Sequence, residues 1–81
     1  MRVRLVAFAT AAEALGAAAL DWDAPAGSTL GELAARLAAE HPALAAKLPR
    51  LAFAVDGEIA RPDRPLREGC EVALLPPVSG G

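Results

Sequence analysis

The 81-residue sequence has no Asn, Gln or Tyr, and it has only one Cys, one His and one Lys. A single cysteine cannot form a disulfide within the chain, which favours a reducing compartment and predicts a cytoplasmic protein. The lack of thermally labile amides is typical of thermophilic proteins. Abundant Ala, Arg, Gly and Pro would follow equally from a GC-rich genome, so the composition leaves both origins open.

Reactive side chains are scarce, which leaves little material for catalysis or metal binding. His41 is predicted to be a solvated residue at a helix end, and Ser79 lies among the last residues, so a Ser-His-Asp arrangement is not expected. Asp21 and Asp23 lack a nearby His or Cys and lack calcium-loop spacing, which predicts solvated charges rather than metal ligands. Cys70 is predicted to be a small buried hydrophobic residue. We therefore expect no catalytic side chain and no directly bound cofactor.

Charge and hydropathy argue against two further kinds of partner. The 8 basic residues are scattered among 10 acidic ones, without a basic stripe interleaved with aromatics, so nucleic-acid binding is not expected. The apolar runs are too short to cross a bilayer, and Arg2 and Arg4 interrupt the N-terminal run, which predicts neither a membrane span nor a signal peptide. The length and the 54% hydrophobic share fit one globular domain.

Hydrophobic periodicity predicts an α+β domain with the element order ββαβββ. The capping box Thr29-Leu30-Gly31-Glu32 begins the main helix, and His41-Pro42 ends it. Asp56-Gly57 predicts a hairpin between two strands. The outcome is a mixed sheet of four or five strands packed on one main helix. The predicted strands are 2–8, 17–22, 51–55, 58–60 and 70–75, with short helical turns at 10–15, which stops at Gly16, and at 43–48.

One face of this sheet is expected to remain apolar and open. If Val3, Leu5 and Ala7 face the helix, Phe8 faces away from it, and Leu75 opposes Leu74 in the same manner. One helix covers only one side of a small sheet, so apolar residues on the other side predict a docking patch. Packing against a second layer is the alternative.

The C-terminal residues Pro76-Pro77-Val78-Ser79-Gly80-Gly81 follow directly after a predicted hydrophobic strand. Two prolines end the strand because they lack amide donors, and two glycines leave a carboxylate on a narrow backbone that can enter another protein's active site. We therefore predict a domain at 1–75 and a flexible tail at 76–81, which spans about 20 Å when extended. A disordered end without function is the alternative.

Several segments match a known pattern, most specifically the ending of a strand followed by Pro-Pro-Val-Ser-Gly-Gly. Through them the whole chain resembles the small, sulfur-carrying subunit of molybdopterin synthase (the MoaD type), a ubiquitin-like β-grasp family. The family commonly has Arg where this chain has Ala12 and Asn where it has Asp56. The other matching segments are Phe8-Ala9, Gly16, Ala54-Val55-Asp56-Gly57, Pro65-Leu66-Arg67-Glu68-Gly69 and Glu71-Val72-Ala73.

The resemblance implies a carrier that is chemically modified at its C-terminus. An ATP-dependent adenylyltransferase would activate the carboxylate of Gly81, beside Gly80, and a sulfur donor would displace AMP to leave a thiocarboxylate. The carrier would then dock on the large synthase subunit in a heterotetramer and donate sulfur to a pterin precursor. ATP would be consumed by the activating enzyme, and the chain would be a non-catalytic subunit. The residues implied in docking are Phe8, Ile59, Leu75, Pro76, Pro77 and Val78.

Three other functions remain open at this point. The chain could carry sulfur for thiamine synthesis, tRNA thiolation or cysteine formation, although such carriers usually lack the Pro-Pro before the tail. A ubiquitin-like modifier would instead join Gly81 to amines of other proteins. A structural interaction module would have an inert tail.

Overall fold

The computed structural model describes residues 1–76, which fold as a five-stranded sheet and three short to medium α-helices. The predicted short turn at 43–48 is divided between a small helix and a 3-10 turn at Leu48–Arg50. The strands are β1 Arg2–Ala7, β2 Ala19–Asp23, β3 Ala52–Val55, β4 Glu58–Ile59 and β5 Glu71–Leu75, and the helices are α1 Ala9–Leu15, α2 Leu30–Glu40 and α3 Pro42–Ala45.

The sheet has the order β2-β1-β5-β3-β4. β1 pairs antiparallel with β2 and parallel with β5, whereas β3 pairs antiparallel with both β5 and β4. The last strand therefore lies in the middle of the sheet, between β1 and β3. The prediction of a mixed sheet packed on one main helix is confirmed.

The core lies between one face of the sheet and the apolar stripe of α2. Leu33 and Leu37 are fully buried, as are Leu5 on β1 and Val72 and Leu74 on β5. The predicted inward direction of alternate β1 residues is confirmed, since every second residue of that strand is buried. Burial of leucine and valine side chains contributes roughly 1.5–3 kcal/mol each, so this layer supplies most of the driving force for folding.

The N-terminus of α2 is held twice, once by its own capping box and once by a loop. The Thr29 hydroxyl accepts from the Glu32 amide at 3.3 Å, and the Glu32 carboxylate accepts from the Thr29 amide at 2.8 Å. The next two amides donate to the loop after β4: Leu30 to the Arg64 carbonyl at 2.9 Å, and Gly31 to the Pro62 carbonyl at 2.8 Å. These bonds satisfy helix amides that would otherwise lack partners, and they fix loop 61–67 against the helix.

The C-terminal end of α2 brings the only histidine next to the only tryptophan. The His41 amide donates to the Leu37 carbonyl, and Pro42 begins α3. The ring centroids of Trp22 and His41 are 6.0 Å apart. His41 is half-buried, so the prediction of a solvated residue is wrong: it is at the helix end, but Trp22 lies beside it. The buried indole N–H of Trp22 has no acceptor within residues 1–76.

The first strand is one residue shorter than predicted. Ala9 has a φ of 51°, which turns the chain out of the sheet, and Phe8 becomes the N-cap of α1 instead of a strand residue. The end of α1 is as predicted, because Gly16 adopts the left-handed conformation with φ of 86°. The other strand boundaries agree with the predicted ones to within two residues, and the ends of β3 and β5 agree without any difference.

No helix within residues 1–76 combines the length and the apolar character needed to cross a bilayer.

Replacing Gly31 by Ala is expected to destabilise the fold by about 1–2 kcal/mol. Helix propensity alone would predict a gain of about 1 kcal/mol. A Cβ on Gly31 would lie 3.1 Å from the Pro62 Cβ and 3.2 Å from the Pro62 carbonyl oxygen. Pro62 has little freedom to move, because its ring is rigid and its carbonyl accepts from the Gly31 amide.

Urea unfolding of Gly31→Ala measures this effect, and Ala39→Gly on the exposed side of the same helix gives the ordinary Ala-to-Gly difference. A Gly31→Ala chain more stable than the parent would show that the loop is not held against α2 as described.

Candidate functional site

The face of the sheet opposite α2 carries a continuous apolar row across four strands. In the strand register, Val6 lies opposite Ala73, Ala73 opposite Ala54, and Ala54 opposite Ile59. Directly paired residues project to the same side of a sheet. Because Val72, Leu74 and Val55 face the helix, alternation places this row on the open side.

A second apolar row follows at the end of the sheet where β5 stops. Leu75 is half-buried and pairs with Ala52, and Phe8 follows β1 at the same end. Phe8 is 47% exposed and Ile59 is 71% exposed, and no other large hydrophobic residue of 1–76 is as exposed as these two. We call these two rows the docking face: Val6, Phe8, Ala52, Ala54, Ile59, Ala73 and Leu75.

The other half of the open side is ionic. The Arg2 guanidinium lies 3.7 Å from the Asp23 carboxylate, and that of Arg4 lies 3.8 Å from the Asp21 carboxylate. Glu71 pairs with Arg4 in the register of β5. These pairs are solvent-exposed and contribute little stability, but they keep this half of the sheet hydrated. Only the half nearest the end of β5 therefore offers an apolar surface.

The hairpin after β3 fixes the position of Ile59. Asp56 and Gly57 have φ values of 49° and 84°, the left-handed pair that a tight two-residue hairpin requires. The Asp56 carboxylate also accepts from the Glu71 amide at 2.9 Å, and the Asp56 amide donates to the Glu71 carbonyl at 2.8 Å. Asp56 thus joins the hairpin to the first residue of β5, which holds β4 in register with the docking face.

The central strand β5 ends next to the docking face. Leu75 is the last paired residue of 1–76, and Pro76 after it is exposed and has no amide to continue the ladder. The predicted functional residues Pro77, Val78, Gly80 and Gly81 lie outside the described residues, so their roles stay predictions. Five further residues would extend about 17 Å beyond Pro76.

The remaining candidates occupy structural positions. Cys70 is buried in the core, as predicted. Asp21 and Asp23 are exposed and face arginines, as charges in solvent do. Within residues 1–76, no three His, Cys, Asp or Glu side chains cluster in a way that could hold a metal ion.

The sequence singled out Phe8, Ile59 and Leu75, whereas it missed Ala52 and Ala54. Ala54 is 7% exposed and could pass for a core residue, but it is absent from the cluster that packs on α2. Its alternation with Val55 was the available signal. Alternation shows only that Ala54 and Val55 face opposite sides, and the pairing of β3 with β5 is needed to decide which side is the open one.

Comparison with known proteins decides the family. The model of the ThiS family matches residues 5–81. A molybdopterin synthase sulfur carrier subunit from Chlamydomonas reinhardtii is 34% identical over 83 aligned positions that cover 100% of both chains. This chain belongs to the ThiS family, the family of the molybdopterin synthase sulfur carrier subunits.

Solved structures of similar proteins confirm the ubiquitin-like β-grasp fold. SAMP1 from Haloferax volcanii has a TM-score of 0.87 with 29% identity and 100% coverage of both chains. A chain in the complex of subunits 1 and 2 of the molybdopterin-converting factor from Helicobacter pylori has a TM-score of 0.72 with 27% identity, again over 100% of both chains. The fold of this ThiS-family chain therefore occurs both in a protein called a modifier and in a two-subunit complex.

Changing Asp56 to Ala is expected to cost about 1–2 kcal/mol of stability. The change removes the acceptor for the Glu71 amide and places a Cβ-bearing residue without a local polar group in a left-handed conformation. Asp56→Asn keeps both properties and should stay within about 0.5 kcal/mol of the parent. Chemical unfolding compares the two variants, and equal losses would show that the carboxylate oxygen does not hold the hairpin to β5.

Proposed function

We propose that this chain is a sulfur carrier that acts as the small subunit of molybdopterin synthase. The observation that carries the proposal is spatial: the docking face lies at the edge of the sheet from which the chain continues towards Gly80-Gly81. The full-length likeness to a subunit with that name supports the same function. The single cysteine favours a reducing compartment, and we propose that the carrier works in the cytoplasm.

The proposed chemistry takes place at the C-terminal carboxylate of Gly81. A carboxylate is a poor electrophile, so an ATP-dependent activating enzyme would first convert it to an acyl adenylate with release of pyrophosphate. A donor that supplies sulfur as hydrosulfide would then attack the acyl carbon and AMP would leave, so that the thiocarboxylate remains and one proton is released. Glycine suits both steps because it places no Cβ beside the reacting carbon.

The body of the chain contributes binding energy and position. Covering the exposed parts of the Phe8 and Ile59 side chains, 47% and 71% of each, would contribute roughly 1–2 kcal/mol per side chain before the costs of association. Binding the sheet next to the end of β5 would direct the tail into the partner's pocket and hold the thiocarboxylate near the pterin precursor. The proposed partner is the large synthase subunit, in a heterotetramer. The Helicobacter pylori relative was solved as a complex of two different subunits.

A ubiquitin-like modifier is the second candidate, because the fold agrees closely with SAMP1, a small archaeal modifier protein. Both functions need an activated Gly81 and differ only in the group that attacks it. Sulfur transfer would leave the chain free again, whereas modification would leave Gly81 joined to an amine of another protein.

Sulfur loading should depend on Gly81 alone. The chain is incubated with ATP, an activating enzyme of the family and a sulfur source, and its intact mass is measured. We expect the mass change of one oxygen replaced by sulfur in the parent chain and no loading in a chain that lacks Gly81, with both chains equally stable. Loading of the shortened chain would contradict the assignment of the reactive group.

The acceptor distinguishes the two candidates. Addition of the large synthase subunit and the pterin precursor to the loaded carrier should give the dithiolene product and an unmodified carrier. Covalent conjugates to lysine side chains without any dithiolene product would instead favour the modifier.

Docking on the large subunit should depend on Ile59. An Ile59→Asp chain places a charge in the apolar row, and we expect its Kd to rise at least about tenfold. The parent Ile59 is 71% exposed in the free chain, so stability should not change much. Ala35→Asp on the exposed side of α2 adds the same charge and should change Kd less than about twofold. Isothermal titration calorimetry measures both variants, and equal effects would remove the docking face from the proposal.

A further inference from the structure

Two cationic side chains, Lys47 and Arg50, lie in a groove outside the docking face. The groove runs between the first turn of α1 and the segment that joins α3 to β3. Thr10 forms one wall, and Lys47 and Arg50 supply the charge of the other. Among residues 1–76, the groove is lined by Thr10, Ala46, Lys47, Arg50 and Leu51.

The topology places this groove at the exit of the tail. Thr10 comes three residues after Ala7, where β1 ends, and Leu51 directly precedes β3. β5 lies between these two strands and ends at the same edge, since Ala7 pairs with Leu74 and Ala52 pairs with Leu75. The walls of the groove therefore come from the chain on both sides of the point where the tail leaves the sheet.

The groove is positive in a chain whose net charge is −2. Arg50 is exposed and Lys47 is half-buried, and no carboxylate of residues 1–76 lies within ion-pair distance of either cation. Among residues 1–76, Arg2, Arg4 and Arg64 each lie within 4.0 Å of an acidic side chain, whereas Arg36, Arg61 and Arg67, like the two groove cations, do not. The groove differs from these single arginines because it holds two cations together. The described residues that line the groove include no acidic side chain. An anionic group is the complementary occupant.

The proposed function offers three anionic groups that could occupy the groove: the phosphate of the activated Gly81, the free carboxylate of Gly81, and carboxylate side chains of the partner protein. The distance of each group from the groove distinguishes them. A phosphate on the activated Gly81 would be about 17 Å from Pro76 when the tail is extended. The carboxylate of Gly81 would have to turn back, against the extended course that Pro76-Pro77 favours. Carboxylate side chains on the partner protein meet neither obstacle, because the partner must approach the tail at this edge.

We propose that Lys47 and Arg50 bind acidic side chains of the partner protein around the entrance through which the tail passes. The inference rests on the proposed docking and adds an electrostatic element to its apolar one. Charges at the rim of an interface act mainly on the rate of association, because they orient the approaching partner before contact. Here they would align the tail with the entrance while Ile59 and its neighbours form the apolar contact.

Charge reversal tests the proposal with the large synthase subunit as partner. The variant Lys47→Glu/Arg50→Glu is compared with Arg36→Glu/Arg67→Glu, which changes the net charge equally at two exposed arginines away from this edge. We expect the groove variant to associate at least about tenfold more slowly at low ionic strength and to lose most of the salt dependence of its association rate. The control should stay within about twofold. Stopped-flow fluorescence measures both, and Arg50→Glu alone serves if the half-buried Lys47 does not tolerate the change.

Each other outcome contradicts a definite part of the account. If the parent chain does not bind the large subunit, the proposed function fails and this inference fails with it. Binding of the parent together with equal rates for the groove and control variants would overturn the inference alone. An NMR comparison of the free chain with a chain that ends at Pro76 tests whether the chain's own tail occupies the groove. Shifts of the Lys47 and Arg50 amides between the two would assign the groove to the chain's own tail.

Discussion

One helix can cover only one face of a five-stranded sheet, and this constraint determines how the rest of the molecule is arranged. The leucine stripe of α2 takes the inner face, where Leu5, Val72 and Leu74 are fully buried. Nothing within residues 1–76 covers the outer face, which divides into an ionic half near Arg4 and an apolar half near Leu75. An uncovered apolar half-sheet costs little in a small protein when its central residues are alanines, because alanine exposes little apolar area. Here Ala54 and Ala73 lie in the centre of that surface, and the larger side chains of Phe8 and Ile59 lie at its periphery.

The order of the strands couples this surface to the C-terminus. β5 is the last strand in the chain but the central strand of the sheet, so the residues after β5 begin between neighbouring strands and not beside an outer strand. Apolar residues lie at this end of the sheet, and the groove that contains Lys47 and Arg50 is formed by the segments that follow β1 and precede β3 at the same end. A partner that binds this end of the sheet would meet the chain next to its last residues, as the proposed chemistry at Gly81 requires.

Local signals in the sequence predict the helix and the hairpin, whereas the outer face depends on contacts between distant segments. The capping box at Thr29 and the turn at Asp56-Gly57 are local features, and the structure contains both. The early end of β1 depends on the positive φ of Ala9, and this could not be predicted because alanine rarely adopts that conformation. The place of Ala54 on the outer face and the position of Arg50 at the end of the sheet where β5 stops follow from strand register and chain packing, which join residues far apart in sequence.

Cross-saturation NMR on the isotopically labelled chain, bound to the large molybdopterin synthase subunit, tests the central claim most directly, because it reports which side chains the partner covers. The account predicts that saturation reaches Val6, Ile59 and Leu75, and that the exposed residues Ala35 and Ala39 of α2 receive none. Saturation concentrated on α2, with the outer face of the sheet untouched, would contradict it.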